Sequence, residues 1–477
     1  MFDAFVAFQA RIQPRAAAIL SPAGQTTYAE LDADVNRFAH ALTAFGIKRD
    51  AGVVSIDLAD HYLKLVTLLA LARMGVASST ADDDRADLRL SDRASHDPVQ
   101  TRRLDPDWLA HVLASDAVRF IAPRLDPEGV GRVLLSSGTT RRSRRIGLSW
   151  RMIEASVRSV MATHVGGKSG RWLPFTGIDS LMGFQLGLAA WAVGATAVVG
   201  VRQDELAPTL EVLEPAVLGF TPVLLSALLA ALPAGFRAQP NLRVLVSGSA
   251  LPARVARDAR LRLSPDVRII FGATECGGSA TADAALLDLV GGVAGYPVPG
   301  VEIAIVDAQG VPVAQGEQGE VRISSQRAAT GYIGDPEETA RSFHHGGFYP
   351  GDLGRLMPDG LLVIDGRLDD RMNLGGHKFQ PTTLDDVALG CPGVADAAAF
   401  PVPDATGIDQ CWLAVVAGEG FDRAHLIRQL EQHRPRLPRV RLAFIEQIPR
   451  NAMGKVERQR LREETMAALV KPGHASS

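Results

Sequence analysis

The apolar run Val133-Leu134-Leu135 stops abruptly in Ser136-Ser137-Gly138-Thr139-Thr140, and Arg141, Arg142, Arg144 and Arg145 follow at once. No other junction restricts the possible folds as much. A short continuous apolar run suits a strand buried on both faces. Its polar end reads as a strand that terminates in an anion clamp, because glycine lets backbone amides approach an anion and no Cβ fills the concavity. The four arginines are expected to add charge for the same ligand. A polar hairpin tip followed by a solvated basic run has the same letters, so partners elsewhere in the chain must decide.

Further strand endings of this kind occur downstream. Residues 17–80 alternate β-rich runs with amphipathic helical patterns at 28–45 and 61–74, which predicts a doubly wound α/β layer. A strand–helix–strand passage runs from Trp172 to Val199, with Pro174-Phe175-Thr176-Gly177-Ile178-Asp179 after its first strand. Val217-Leu218-Gly219-Phe220 and Leu242 to Ser247-Gly248 then stop at small or polar residues. Ligands in open α/β sheets collect beyond the carboxyl ends of the strands, so these endings point to one crevice. Val267 to Phe271 runs into Gly272-Ala273-Thr274-Glu275, which sets a carboxylate at a strand terminus beside an aromatic ring. By contrast, Gly166-Gly167-Lys168-Ser169 is not a phosphate-binding P-loop: Ala162 stands where the first glycine is required, and a helix rather than a strand precedes it.

Composition narrows the class. The length of 477 residues allows about three domain-sized units. Hydrophobic content of 47% with 22% charged residues is that of a globular chain, and a net charge of -3 argues against a nucleic-acid partner. The longest apolar stretch, near 63–71, is too short to span a bilayer, and the first residues lack a basic, apolar leader. Cys276, Cys391 and Cys411 are widely spaced, which favours neither a disulfide framework nor a zinc site and fits a reducing cytoplasm. Residues 79–116 are polar and mixed in charge and carry no assignable architecture, a surface excursion being one reading. From 294 the chain becomes glycine-punctuated, which predicts a small β subdomain over about 294–365. A boundary is expected between Leu368 and Asp369, followed by a small α+β domain over 369–477 with strands near 397–400 and 412–416 and a helix over 424–433.

Ser-Ser-Gly-Thr-Thr at 136–140, Phe-Gly-Ala-Thr-Glu at 271–275, Gly-Asp at 351–352, Gly-Arg-Leu-Asp at 366–369 and Gly-Lys at 454–455 stand in one order. That series resembles the motifs of the adenylate-forming superfamily, which comprises acyl-CoA synthetases, peptide-synthetase adenylation domains and luciferases. The resemblance spans about residues 17–461. It implies an α/β fold: a large N-terminal AMP-binding domain over 1–368, made of doubly wound sheets and the β subdomain, and then a mobile lid over 369–477. The implied chemistry is attack of a carboxylate on the α-phosphate of ATP, with Mg2+, followed by transfer of the acyl group to a thiol. On this resemblance Ser137, Gly138, Thr139 and Thr140 would cradle the phosphates, with Arg144 in place of the usual lysine. Glu275 would hold Mg2+, Thr274 would contact the α-phosphate, and Phe271 and Gly272 would lie along the adenine. Asp352 would accept the ribose hydroxyls, Arg367 would support them, and Lys455 would bridge the attacking carboxylate and the phosphate. Phe175, Asp179, Ser247, Gly248 and Gly272 fall where the acid would lie. Asp369 falls at the hinge, and Gly375 and Gly376 at the tunnel for the acceptor thiol. The acceptor is expected to be a separate molecule, either CoA or the phosphopantetheine of a carrier protein.

Several positions depart from the pattern. Arg141 to Arg145 replace a glycine- and lysine-bearing loop, Tyr349-Pro350 stand for Arg-Thr, and Thr383 stands where a glutamate is usual. Asp179 has two readings: the partner of a substrate ammonium, as in amino-acid-activating enzymes that load a carrier, or an exposed helix N-cap. A non-catalytic nucleotide or acyl-adenylate binder is a third outcome compatible with the altered loop.

Overall fold

The computed structural model describes the chain except residues 1, 94–98, 137–142, 375–376, 404–408, 433–438, 452–453 and 471–477. A six-stranded sheet takes the order Thr101–Arg103, Leu88–Ser91, Val53–Asp57, Ala77–Ser79, Val130–Ser136, Arg144–Ser149. Its strands are parallel except for the last pair, in which Ser136 lies opposite Arg144. A second sheet has Ala17–Ser21, Thr196–Val198, Arg171–Leu173, Val217–Phe220, Arg243–Val246 and Asp266–Ala273 side by side and parallel. Helices cover these sheets, as the alternating pattern predicts.

Local chemistry explains the helix ends. Thr27 and Glu30 form a reciprocal capping box at the start of Tyr28–Ala44. His61–Met74 begins at Asp60, whose side chain accepts from the Leu63 amide, and stops at Gly75 in the left-handed region (φ 73°). The expected amphipathic face of this helix is absent over its last three turns. Every residue from Leu65 to Met74 is buried, because the helix lies between layers rather than on a surface.

Part of the polar segment 79–116 is likewise not on the surface. Leu88–Ser91 is buried throughout and pairs with two strands inside the six-stranded sheet. One of the segment's charges is neutralised internally: fully buried Asp83 receives Arg145 at 3.1 Å.

The β-rich region from 293 onward is continuous with the second sheet. Gly277–Asp283 turns back antiparallel on Asp266–Ala273, and Val293–Pro297 then joins it to Leu362–Arg367, Asp352–Leu356 and Gly319–Ser325, making one path of a 15-stranded sheet. Beyond 368 come the hairpin Met372–Leu374 with His377–Phe379 and a three-stranded sheet, Val394–Pro403, Asp409–Ala417 and Val440–Phe444. Helices Thr382–Leu389, Arg423–Gln432 and Arg458–Val470 pack on it around separate apolar clusters. The three cysteines are free and buried.

Candidate active site

Ser137, Gly138, Thr139, Thr140, Arg141 and Arg142 lie outside the described residues, as do Gly375 and Gly376. The strands flanking the first loop are defined, and they correct the expectation that all the arginines serve one anion. Arg144 pairs with Glu338 at 2.7 Å and lies 5.3 Å over the ring of Tyr332, while Arg145 is held by Asp83. A guanidinium already bonded to a carboxylate offers less charge to a ligand than a free one.

The next strand ending supplies the carboxylate. Glu275, in the turn between Asp266–Ala273 and Gly277–Asp283, is only 6% exposed. Tyr332 donates its hydroxyl to Glu275 Oε1 at 2.9 Å, and the Ala329 amide donates to the Glu275 carbonyl at 2.7 Å. Burial pushes the Glu275 carboxyl above its ordinary range, and hydrogen bonds and the Arg144 charge oppose that rise. Phe271 packs half-buried at the strand end. Gly272 has no room for a side chain: a Cβ there would meet the Gly277 carbonyl oxygen at 2.1 Å.

Asp352 and Arg367 face each other across paired strands, 3.1 Å apart, and Arg367 Nη1 also donates to the Pro350 carbonyl at 2.6 Å. Burial raises the Asp352 carboxyl, while Arg367 and then Lys455 draw it down. Lys455 comes from the C-terminal segment, yet its ammonium feels Arg367, Asp370, Asp352 and Asp369. Burial lowers its pKa first, and the Arg367 charge adds to the shift. Its position is fixed locally by the Asn451 side chain, which accepts from the Lys455 amide at 3.0 Å, and by Gly454, which abuts Val223. Asp369 therefore lies near Lys455, at the junction of the two chain segments.

Phe175, Ser247 and Gly248 gather at the carboxyl ends of neighbouring parallel strands. The Phe175 ring is 5.6 Å from Phe220, and the Ser247 amide donates to the Phe220 carbonyl at 3.0 Å. Asp179 matches neither expectation. Ser180 is the N-cap of Leu181–Ala192, accepting from the Gly183 amide at 3.0 Å. The Asp179 carboxylate is bonded to Lys64 and lies 3.5 Å from the buried Arg132 guanidinium, so two cations already occupy it. No motif marked Tyr332, Glu338, Lys64 or Arg132, because each acts on a partner far away in sequence.

Among the described residues no group of three or more His, Cys, Asp or Glu side chains converges on one point. A Mg2+ ion is compatible with that donor set, since it is commonly held by one or two carboxylates and completed by substrate phosphates and water. Glu275, buried and with acceptor capacity beyond its Tyr332 bond, fits such a ligand.

Residues 6–333 match the family described as AMP-binding enzyme, and the chain belongs to that family, within the adenylate-forming superfamily. By class it is an AMP-forming acid–thiol ligase. The chain is 26% identical to the fatty acid–acyl-carrier-protein ligase ScoC of Streptomyces coeruleorubidus, over 96% of this chain and 95% of that protein. It is also 26% identical to the 3-hydroxybenzoate–CoA ligase of Aromatoleum sp. (strain CIB), over 94% of this chain and 93% of that one. Its fold matches that of ATP-bound MatB from Rhodopseudomonas palustris with a TM-score of 0.84 at 22% identity, covering 97% and 99% of the two chains. No described helix is long and apolar enough to cross a membrane.

Proposed function

We propose that the chain uses ATP and Mg2+ to convert an organic carboxylic acid to its acyl-adenylate, and then passes the acyl group to the thiol of CoA or of a carrier protein. The observation that carries this reading is Lys455, half-buried and drawn into the field of Asp352 and Arg367 from more than eighty residues away. An anionic carboxylate attacking an anionic phosphate needs positive charge where negative charge builds up. Lys455 and Arg367 supply it, and Mg2+ held by Glu275 would further neutralise the phosphates. Asp352 accepts hydroxyls of the ribose, Phe271 and Gly272 border the base, and Thr274 meets the α-phosphate. Ser137, Gly138, Thr139 and Thr140 take the outer phosphates. The acid lies toward Phe175, Ser247 and Gly248.

In this reading residues 1–368 form the adenylating domain, with the β-rich part at about 294–365, and 369–477 form a lid that turns at Asp369. Turning withdraws Lys455 and brings Gly375 and Gly376 toward the site for thiol attack. The pairing of Asp179 with Lys64 and Arg132 disfavours a site for a substrate ammonium, and so disfavours amino-acid activation.

ATP–pyrophosphate exchange with Mg2+ across fatty, aryl, dicarboxylic and amino acids tests the proposal without knowledge of the acceptor. Exchange is expected with at least one acid class, and Lys455→Ala should lower it by about 10²–10³-fold, the usual cost of removing one preorganised charge-stabilising donor. Unchanged exchange in Lys455→Ala would refute the role of that residue. ATP binding without exchange for any acid would identify a binding protein instead.

A further inference from the structure

Arg327 is 7% exposed, and no carboxylate among the described residues pairs with it. Its Nη2 donates to the Gly278 carbonyl at 3.3 Å. A buried guanidinium ordinarily has a counter-charge. Its neighbours provide none. Burial, aided by the charges of Arg327 and Arg243, pushes His164 down to about 4, so it is an uncharged imidazole. Arg243 is itself bonded to Asp266 at 2.8 Å.

A second side chain nearby is also uncommitted. Gln185, on helix Leu181–Ala192, is 7% exposed and makes no side-chain hydrogen bond among the described residues. The two groups converge on Gly277, which has φ +71°: a Cβ placed there would have just two atoms within 4 Å, Gln185 Nε2 at 3.8 Å and Arg327 Nη1 at 3.9 Å. The adjoining glycines are closed off, Gly272 by the Gly277 carbonyl and Gly278 by His164 Nε2. The opening is therefore local, the least crowded of the three glycine positions, and the two N–H donors flank it at ordinary contact distance from a Cβ. It lies on the strand pair that carries Phe271 to Glu275, with Gly277 opposite Ala273. Three residues of chain reach about 11 Å at most, so the opening is within a short molecule's length of Thr274.

We propose that Arg327 and Gln185 bind a second carboxylate on the acid substrate, so that the enzyme selects short dicarboxylic acids over monocarboxylic acids of the same skeleton. This rests on the reading of the chain as an acid-activating ligase. The far carboxylate supplies the charge that buried Arg327 lacks, and Gln185 donates to the same group. An acid without it leaves Arg327 with no charged partner and Gln185 with no acceptor, which is how a site built to bond a polar group rejects an analogue lacking that group.

Pyrophosphate exchange with glutarate against pentanoate, and isophthalate against benzoate, tests the assignment. Wild type should favour at least one diacid by about 10-fold or more in kcat/KM. Arg327→Met should erase that preference by raising the KM for the diacid about 100-fold while the KM for ATP holds, and Arg327→Lys should restore part of it. Gln185→Leu, which leaves the charge in place, should weaken the same preference with an unaltered melting temperature. Exchange that favours the monoacids, or an Arg327→Met loss shared equally by both acids, would overturn the assignment while leaving acid activation standing. Silence with every acid despite ATP binding would refute acid activation, and this proposal with it.

Discussion

Glu275 sits 6% exposed at a strand end, where removal from water raises the proton affinity of its carboxyl. Lys455 undergoes the opposite shift, because burial and the Arg367 charge both disfavour its ammonium. Each shift is toward the neutral form, and a ligand of opposite charge would oppose it. His164 shows what the same physics does to stability. Its imidazole is buried and its pKa is pushed down to about 4, against 6.5 for the ordinary group, first by burial and then by Arg327 and Arg243. The unfolded chain therefore binds a proton between those values while the folded chain does not. Stability from the neutral ring is fully present above about pH 6.5 and is lost as the pH falls toward 4, by up to roughly 3 kcal/mol. Urea unfolding of wild type and His164→Gln at pH 7 and pH 4.5 should show the variant losing less stability on acidification. Parallel losses would mean that another group governs this pH range.

The hairpin formed by Asp266–Ala273 and Gly277–Asp283 shows how an element builds a site. Its register shifts between Phe271 and Gly272, and the backbones then come so close that Gly272 tolerates no Cβ. That approach fixes the turn bearing Thr274 and Glu275, and Tyr332 ties Glu275 to the chain beyond. Gly272→Ala should cost about 1–3 kcal/mol, as overpacking does, and should lower pyrophosphate exchange more than its stability loss explains. Thermal melting and exchange on the same preparation measure both. An alanine variant with wild-type melting and exchange would show that the turn is not held by this contact. Arg144 and Arg145 teach a related lesson. Their loop reads as a basic run, but Glu338 and Asp83 take up their side chains from other elements.

Across the whole molecule, the segment beyond 368 is held together by a buried charge pair rather than by apolar packing alone. Arg458 joins Asp385 on Thr382–Leu389, lies 3.5 Å from Asp370 and also donates to the Ala399 carbonyl. Asp385 accepts from the Ala399 amide at 2.6 Å, and burial raises its carboxyl while Arg458 draws it down. Arg458→Met strands this carboxylate and should destabilise the C-terminal segment by about 3–5 kcal/mol, whereas adding Asp385→Leu should recover much of the loss. Limited proteolysis near residue 369, together with urea unfolding, reads both effects. Additive destabilisation in the double variant would contradict the pairing argument. The same segment carries Gly454 against Val223 and so sets Lys455 beside Asp352 and Arg367.

Strand endings, glycine turns and the order of the five motifs were legible in the sequence, because each depends on residues adjacent along the chain. The α/β layers, the helix at 423–432 and the carboxylate of Glu275 at a strand terminus follow from that local information. Continuity of the β-rich region with the second sheet, burial of Leu88–Ser91 and burial of residues 65–74 of the helix at 61–74 on every face did not. Nor did the fate of each charge. Asp179 next to Ser180 looks like a cap or a ligand for an amine until Lys64 and Arg132 arrive from more than forty residues away, and nothing local marks Arg327 as buried with no carboxylate partner among the described residues. Whether a charged side chain is solvated, paired or left waiting for a ligand depends on burial and on distant partners. Tertiary packing decides both.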